Sequence, residues 1–398
     1  MKKKWIRAAA VIALCAAAVC TAACGKSGQS SSGGSSSGEP AAGTMLIGGI
    51  GPLTGDESVY GQSVRNGAQL AVDTINDKGG INGIRLQLDF KDDENKSENA
   101  LSCYGTLKSE GMKILLGPVT SKSCLSVAEQ SSMDSIFQIV PTATADECTR
   151  NENVFRICVN NTKIGNAAVK FIAGKSIGTK AAVIYDSSSE YSSGLYETFR
   201  SEASAEGLTI AEAQAFTSDN NQDFSVQIQK IKDSGADVLF LPVLSKEAAL
   251  ILKQFGKSSL SGMRVIGCDG MDGLVEQLGS DKDLAEGVYL VSSFCAGGTD
   301  DKTASFVKAY KDAYNDAAPN QYAADAYDAV STIKAVLEAS DIKSADIDSA
   351  NLCSKLKESM TMISVDGLTG TLKWTGSGDV DLDPRIMIIK DGACSTLS

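Results

Sequence analysis

The chain has 398 residues, 43% of them apolar, 22% charged and 6% aromatic, a globular composition too long for one core and suited to two domains. It contains no histidine, which removes Ser-His-Asp hydrolysis, imidazole acid–base catalysis and most catalytic zinc sites. A formal charge of −12 argues against nucleic acid as a partner.

Lys2, Lys3, Lys4 and Arg7 precede a 12-residue apolar run, Ala8 to Val19, which is too short to span a bilayer and reads as an export signal. The run closes on Thr21-Ala22-Ala23-Cys24-Gly25. This resembles a bacterial lipoprotein cleavage box with Cys24 as the lipidated first residue; Thr21 stands where Leu is usual, and ordinary secretory cleavage after Ala23 is the alternative. Loss of residues 1–23 leaves 33 Lys plus Arg against 49 Asp plus Glu, a formal charge of −16. Gly25 to Thr44 is Ser/Gly-rich without apolar periodicity, so residues 24–44 read as a lipid-anchored tether of about 25 Å average reach.

From Met45 the pattern alternates. A strand over Met45–Gly51 precedes a helix over Gly61–Asn76, where Val64, Ala68, Ala71, Val72 and Ile75 share one face. Strand Arg85–Phe90, helix Ser97–Ser109, strand Lys113–Leu116, helix Ser121–Ser131 and strand Ile136–Val140 follow. A second series begins near Lys163, with strands over Ala181–Tyr185, Leu208–Phe216, Val238–Leu241, Arg264–Ile266 and Gly287–Val291. Amphipathic helices over Lys302–Tyr314, Tyr322–Ala339 and Asn351–Met360 lead to short strands over Leu368–Trp374 and Arg385–Ile389. Strands separated by helices predict an α/β protein with two doubly wound parallel-sheet lobes.

In such sheets small molecules bind beyond the carboxyl ends of the strands. Gly49-Ile50-Gly51-Pro52-Leu53-Thr54-Gly55 is a poor dinucleotide turn, because its third Gly is one residue late and Pro52 removes a backbone donor. Better strand ends are Gly117-Pro118-Val119-Thr120-Ser121, leading into a helix whose free N–H groups favour a carboxylate, and Pro141-Thr142-Ala143-Thr144, a second cluster of donors. Gly267-Cys268-Asp269-Gly270 places one acid at a third strand tip. Donors on one lobe and an acid on the other suit a zwitterion, although Ser121 and Thr144 taken singly read as helix caps and Asp269 as a turn former. Ser354-Lys355-Leu356-Lys357 fits SxxK without a companion motif, and Asp379, Asp381 and Asp383 read as a polar hairpin edge rather than a calcium loop.

The order Gly51-Pro52-Leu53-Thr54-Gly55, Tyr60-Gly61, Asn66-Gly67-Ala68, Ile75-Asn76, Gly79-Gly80-Ile81-Asn82-Gly83, the strand ends above, and Tyr322-Ala323-Ala324-Asp325-Ala326-Tyr327-Asp328-Ala329 resembles the leucine/isoleucine/valine-binding protein family. These are type I periplasmic binding proteins of ABC importers, and the likeness runs from Met45 to Gly392. It implies a two-lobed clamp with three hinge crossovers near Asn160, Ser293 and Ser364. The lobes then divide as 45–160 and 294–363 for the first, and 161–293 with a tail at 364–398 for the second. It places carboxylate contacts on Ser121 and Thr144 with backbone help from Ala143, and ammonium contacts on Asp269, the Thr142 carbonyl and the Thr144 hydroxyl. Tyr60 matches an aromatic wall and Tyr191 a second-lobe aromatic. Leu244 or Ser245 falls where an aromatic is common, and Asp269 where Glu is frequent. The resemblance implies a monomeric, non-enzymatic carrier that needs no cofactor. It would bind an amino acid with a branched-chain or other apolar side chain, present it to importer permease subunits, and stay on the membrane through its lipid anchor. A sensor subunit for amino acids, amides or small carboxylates is the alternative reading.

Eight cysteines lie beyond the tether, and export favours disulfides; Cys148–Cys158, Cys103–Cys124, Cys268–Cys295 and Cys353–Cys394 are the expected pairs, against buried free thiols. No CxxC spacing occurs, so no metal knuckle is expected.

Overall fold

The structure, a computed structural model, describes residues 43–397; the expected export signal, Cys24 and the expected tether as far as residue 42 lie outside them. Among the described residues no helix is long and apolar enough to cross a membrane.

The first lobe is built from β1 (Thr44–Gly51), α1 (Ser58–Asp77), β2 (Arg85–Asp92), α2 (Ser97–Ser109), β3 (Ile114–Leu116), α3 (Ser121–Met133), β4 (Phe137–Val140) and β5 (Val154–Arg156). Its five strands are all parallel, in the order β2-β1-β3-β4-β5, with Ile47 opposite both Leu88 and Ile114. Alternation along β1 sends Met45 and Ile47 into one core and Ile50 into another on the opposite face, which is what a strand covered by helices on both sides requires. The α1 stripe of Val64, Ala68, Ala71, Val72 and Ile75 is buried as its periodicity predicts.

The second lobe follows with α4 (Asn161–Gly174), β6 (Lys180–Asp186), α5 (Glu190–Ala205), β7 (Thr209–Phe216), α6 (Ser225–Asp233), β8 (Val238–Leu241), α7 (Ser245–Phe255), α8 (Lys257–Leu260), β9 (Arg264–Cys268), α9 (Leu274–Leu278) and β10 (Tyr289–Ser292). The chain then returns to the first lobe for α10 (Asp301–Ala313), α11 (Gln321–Ala339), α12 (Ser349–Met360) and the small hairpin β11 (Val365–Asp366) with β12 (Thr371–Leu372). It ends on β13 (Arg385–Lys390) and β14 (Ala393–Thr396). The second sheet runs β14-β13-β10-β9-β8-β6-β7, parallel except for the antiparallel edge that the tail adds.

Packing locates the passages between lobes. Ile157 belongs to the first-lobe core and Val159 to the second; the next passage follows β10 at Ser293. The third comes later than Ser364. Leu372, Trp374 and Val380 are buried in the first-lobe core, Leu382 touches the cores of both lobes, and only β13 and β14 join the second sheet. The indole of Trp374 donates to the Arg156 carbonyl at 2.7 Å, and the Arg156 N–H donates to the Gly378 carbonyl at 2.9 Å, both tying this stretch to the first lobe.

The four expected disulfide pairs are not formed; all eight cysteines are thiols, and they sit too differently for those pairings. Cys353 lies in the first-lobe core while Cys394 packs on the second-lobe core, Cys268 and Cys295 belong to clusters on different faces of one sheet, and Cys103 and Cys124 to different clusters of the first lobe. Cys158 directs its thiol at the Ala143 carbonyl, 3.6 Å away, rather than at Cys148.

Candidate functional site

A cavity of about 430 Å³ opens between the lobes, within the usual range for small-molecule sites. Its first-lobe wall is made by Tyr60, Val119, Thr120, Ser121 and Thr142, its second-lobe wall by Tyr191, Val243 and Leu244, and Tyr322 closes it from α11.

Ser121 is the first residue of α3, which has no side-chain cap, so the N–H groups of its opening turn point out unspent at the positive end of the helix. The Ser121 hydroxyl accepts the Ala145 N–H at 3.2 Å, tying this terminus to the neighbouring loop. In that loop the Thr142 hydroxyl donates to the Val119 carbonyl at 2.7 Å, and the Thr144 carbonyl accepts from Asn161 N–H at 2.8 Å. The Thr144 hydroxyl is buried with no hydrogen-bond partner. Such an orphan costs free energy unless a ligand group answers it.

Below the loop lies Arg156, a fully buried guanidinium. It donates to the carbonyls of Ala143, Ala145 and Asp146 at 3.1, 2.9 and 3.1 Å, and its Nε reaches Asp379 Oδ1 at 3.0 Å. Asp379 therefore serves as a counter-ion, a role its hairpin position did not suggest.

Asp269 follows β9 and is 3% exposed. Its Oδ1 accepts from the Tyr191 hydroxyl at 3.0 Å, and that hydroxyl accepts the Gly270 N–H at 2.9 Å. A β-carbon at position 270 would collide with the Tyr191 hydroxyl, so glycine there permits the approach. Burial pushes the Asp269 carboxyl up to about 7, against the opposing hydrogen bonds from Tyr191 and Gly270. Asp272, which accepts Gln321 N–H at 2.6 Å, is raised to about 6 by burial, and so is Asp328, which accepts from Leu368 N, Thr369 N and the Thr369 hydroxyl. Asp325 is raised well above the ordinary range by burial and by its acidic neighbours, and its Oδ1 has no partner. These acids do not line the cavity, and the hydrogen bonds they accept come from neutral donors.

Tyr60 joins the lobes. Its hydroxyl donates to the Gly270 carbonyl at 2.8 Å, accepts Ser245 N–H at 2.9 Å and lies 2.9 Å from the Ser245 hydroxyl, capping the start of α7 from the opposite lobe. Its ring packs on Tyr322 at 4.6 Å between centroids, and burial pushes its phenol well up. At the rim, Lys246 meets Asp56 at 2.5 Å.

Of the residues singled out in the sequence, Tyr60, Ser121, Thr142, Tyr191 and Leu244 line this cavity. Ala143, Thr144 and Asp269 sit just behind the wall, where Cys158 lies beside the Ala143 carbonyl and within the field of both Asp269 and Asp325. Sequence reasoning gave no role to Tyr322, Arg156, Asp325 or Glu247. Glu247 lines the cavity with one carboxylate oxygen buried and unpartnered.

Residues 44–384 match the family described as periplasmic binding protein. The chain is 31% identical over 295 residues to the Leu/Ile/Val-binding protein BraC3 of Rhizobium johnstonii, covering 73% of this chain and 78% of that one. The chain belongs to the Leu/Ile/Val-binding protein family. In Pseudomonas aeruginosa the leucine-, isoleucine-, valine-, threonine- and alanine-binding protein is 28% identical over 341 residues, covering 85% of this chain and 88% of that one. The isoleucine-bound LivJ of Streptococcus pneumoniae superposes with a TM-score of 0.78 at 24% identity, covering 89% of this chain and 99% of that one, a likeness of fold. Members of the Leu/Ile/Val-binding protein family are extracytoplasmic solute-binding proteins, not enzymes.

Proposed function

We propose that this protein captures an amino acid with a branched-chain or other apolar side chain between its lobes and delivers it to the permease of an ABC importer, while tethered to the membrane as a lipid-anchored monomer through Cys24. The observation that carries the reading is the buried, unpartnered Thr144 hydroxyl, in the loop that Ala145 ties to the uncapped start of α3, with the buried carboxyls of Asp269 and Asp325 nearby. A zwitterion answers all three. Its carboxylate takes the free N–H groups of α3 and the Ser121 hydroxyl. Its ammonium takes the Thr142 carbonyl, the Thr144 hydroxyl and an ionised Asp269, with the Ala143 backbone completing the loop. Its side chain lies against Tyr60, Tyr191, Leu244 and Tyr322. Closure through Tyr60 then excludes water and strengthens each of these contacts. What the relatives' names say of their own ligands supports the branched-chain assignment.

Glu247 favours a second reading. Its buried, unpaired oxygen in the same wall would suit a ligand tail that donates a hydrogen bond, an amide or an amine, in either a carrier or a sensor. Thermal unfolding of ligand-stripped protein against single amino acids and small carboxylates separates the two. Ligand at about a thousand times Kd adds roughly 4 kcal/mol, a plain upward shift. Shifts confined to leucine, isoleucine, valine and similar side chains support the first reading; shifts only with glutamine, asparagine or lysine support the second. A flat response to every amino acid rejects the zwitterion site.

A further inference from the structure

Two pairs of thiols lie side by side. Cys124, in the first turns of α3, and Cys148, in the turn Asp146–Thr149, share a buried apolar cluster with Val140, Ala143, Ala145 and Val154, close enough for Cys148 to push the Cys124 thiol up. Cys295, just past β10, and Cys394, on β14, are also adjacent, the Cys295 thiol donating to the Cys394 carbonyl oxygen at 2.8 Å. The remaining thiols face other groups or plain core: Cys103 the Asp92 carbonyl at 3.3 Å, Cys158 the Ala143 carbonyl, Cys268 and Cys353 apolar side chains.

The geometry points to two disulfides in the exported protein, Cys124–Cys148 and Cys295–Cys394, with Cys103, Cys158, Cys268 and Cys353 kept as thiols. This goes beyond ligand capture and rests only on the extracytoplasmic setting of the family, where disulfides persist. The oxidant is an incoming disulfide, of a thiol–disulfide oxidoreductase or a small disulfide in solution. One cysteine thiolate attacks it, forming a mixed disulfide and expelling one thiolate; the second cysteine then attacks the protein sulfur and expels the other. Two thiols thus give up two protons and two electrons and become one S–S bond, while the oxidant leaves as two thiols. Cys295 is the attacking partner in its pair, since its neighbour Cys394 lowers its thiol while Cys394 itself is pushed up.

The two bonds differ in what they tie and in who can reach them. Cys124–Cys148 joins the start of α3 to the segment after Thr144, fixing the two first-lobe loops of the cavity relative to each other. Both its sulfurs are fully buried, so it closes as the lobe folds and resists reductant while the lobe stays folded. Cys295–Cys394 joins the passage after β10 to the edge hairpin of the second sheet, and Cys394 is partly exposed, so this bond exchanges in the native state.

Peptide mass mapping of the exported full-length chain, refolded in a glutathione redox buffer and alkylated without reductant, tests this. Cross-linked peptides joining Cys124 to Cys148 and Cys295 to Cys394, with the other four of the eight alkylated, are expected. A cross-link between any other two, or alkylation of Cys124, Cys148, Cys295 and Cys394 together, overturns it. Native dithiothreitol should then free Cys295 and Cys394 alone; release of Cys124 and Cys148 without unfolding contradicts the assigned difference in access. All of these readouts are independent of whether an amino acid binds.

Discussion

Burial holds the Asp269 carboxyl at about 7 when no cation faces it, and a bound ammonium favours its ionised form. The ligand zwitterion does not titrate between pH 5 and 8, so any change of affinity across that window belongs to the protein. Affinity should be full above about pH 7 and fall by up to tenfold per unit below it, as protonation of Asp269 competes with binding. Titration calorimetry from pH 5 to 8 reads this slope. Asp269→Asn should bind at least tenfold more weakly at pH 8 and show no slope; a slope that survives in the variant removes Asp269 from the ammonium site. Arg156 is the other residue with a sharp consequence. Its charge is buried and answered by Asp379 and three loop carbonyls. Arg156→Ala leaves those acceptors unpaired and should cost about 3 to 5 kcal/mol in urea unfolding. A loss below about 1 kcal/mol would show that the Thr142–Thr144 loop does not depend on it. Arg156 could not be found from sequence, because its partner lies more than two hundred residues away and nothing local distinguishes it from a surface arginine.

Among the elements, two helices meet across the cleft: Tyr60 of α1 caps α7 through the Ser245 N–H. Tyr60→Phe keeps the ring against Tyr322 and removes only the hydroxyl bonds, each worth about 1 kcal/mol. Apparent affinity should drop roughly tenfold, carried by faster dissociation in stopped-flow traces; an unchanged off-rate means closure does not depend on this bond. On the other side α1 packs against α11, where Gly67 lies so close to the Ala323 carbonyl that a methyl group there has no room. Gly67→Ala should destabilise the protein by about 1 to 3 kcal/mol, seen as a lower melting temperature with the ligand preference unchanged. Most elements were legible because their apolar periodicity runs for several turns or a full strand, as in α1 and β8. Strands β5 and β14 were not: Val154–Arg156 has three residues and ends in an arginine, and Ala393–Thr396 is a short polar edge. Site residues at strand ends were legible for the same reason, since an apolar run announces where it stops. The buried acids of α11 were not read, although they left a trace. Gln321, Asp325, Asp328 and Thr332 fall at i, i+4, i+7 and i+11 of α11 and are all buried, a polar stripe down an otherwise alanine-rich helix.

Over the whole molecule the buried acids oppose the surface ones. Asp92, Asp134 and Asp237 are held below the ordinary carboxylate range by net hydrogen bonding and, at Asp134, by Lys108, so they contribute stability above about pH 4 that is lost as pH falls through their folded values. Asp269, Asp272 and Asp328 are raised to about 7, 6 and 6 by burial. The folded state holds their protons where the unfolded chain has released them, so their contribution is fully present below about pH 4 and is lost as pH rises through 6 to 7. The ligand-free protein should therefore melt at a higher temperature at pH 5 than at pH 8. A bound ammonium offsets the Asp269 part of that loss but not the parts of Asp272 and Asp328, which already hold donors from Gln321, Leu368 and Thr369. At one fixed ligand concentration the ligand-induced rise in melting temperature should accordingly be larger at pH 8 than at pH 5. Differential scanning calorimetry with and without ligand at both values measures the difference of differences. Equal rises would mean that the ligand charge is met somewhere other than the buried acids, and the clamp would then close on the carboxylate end alone.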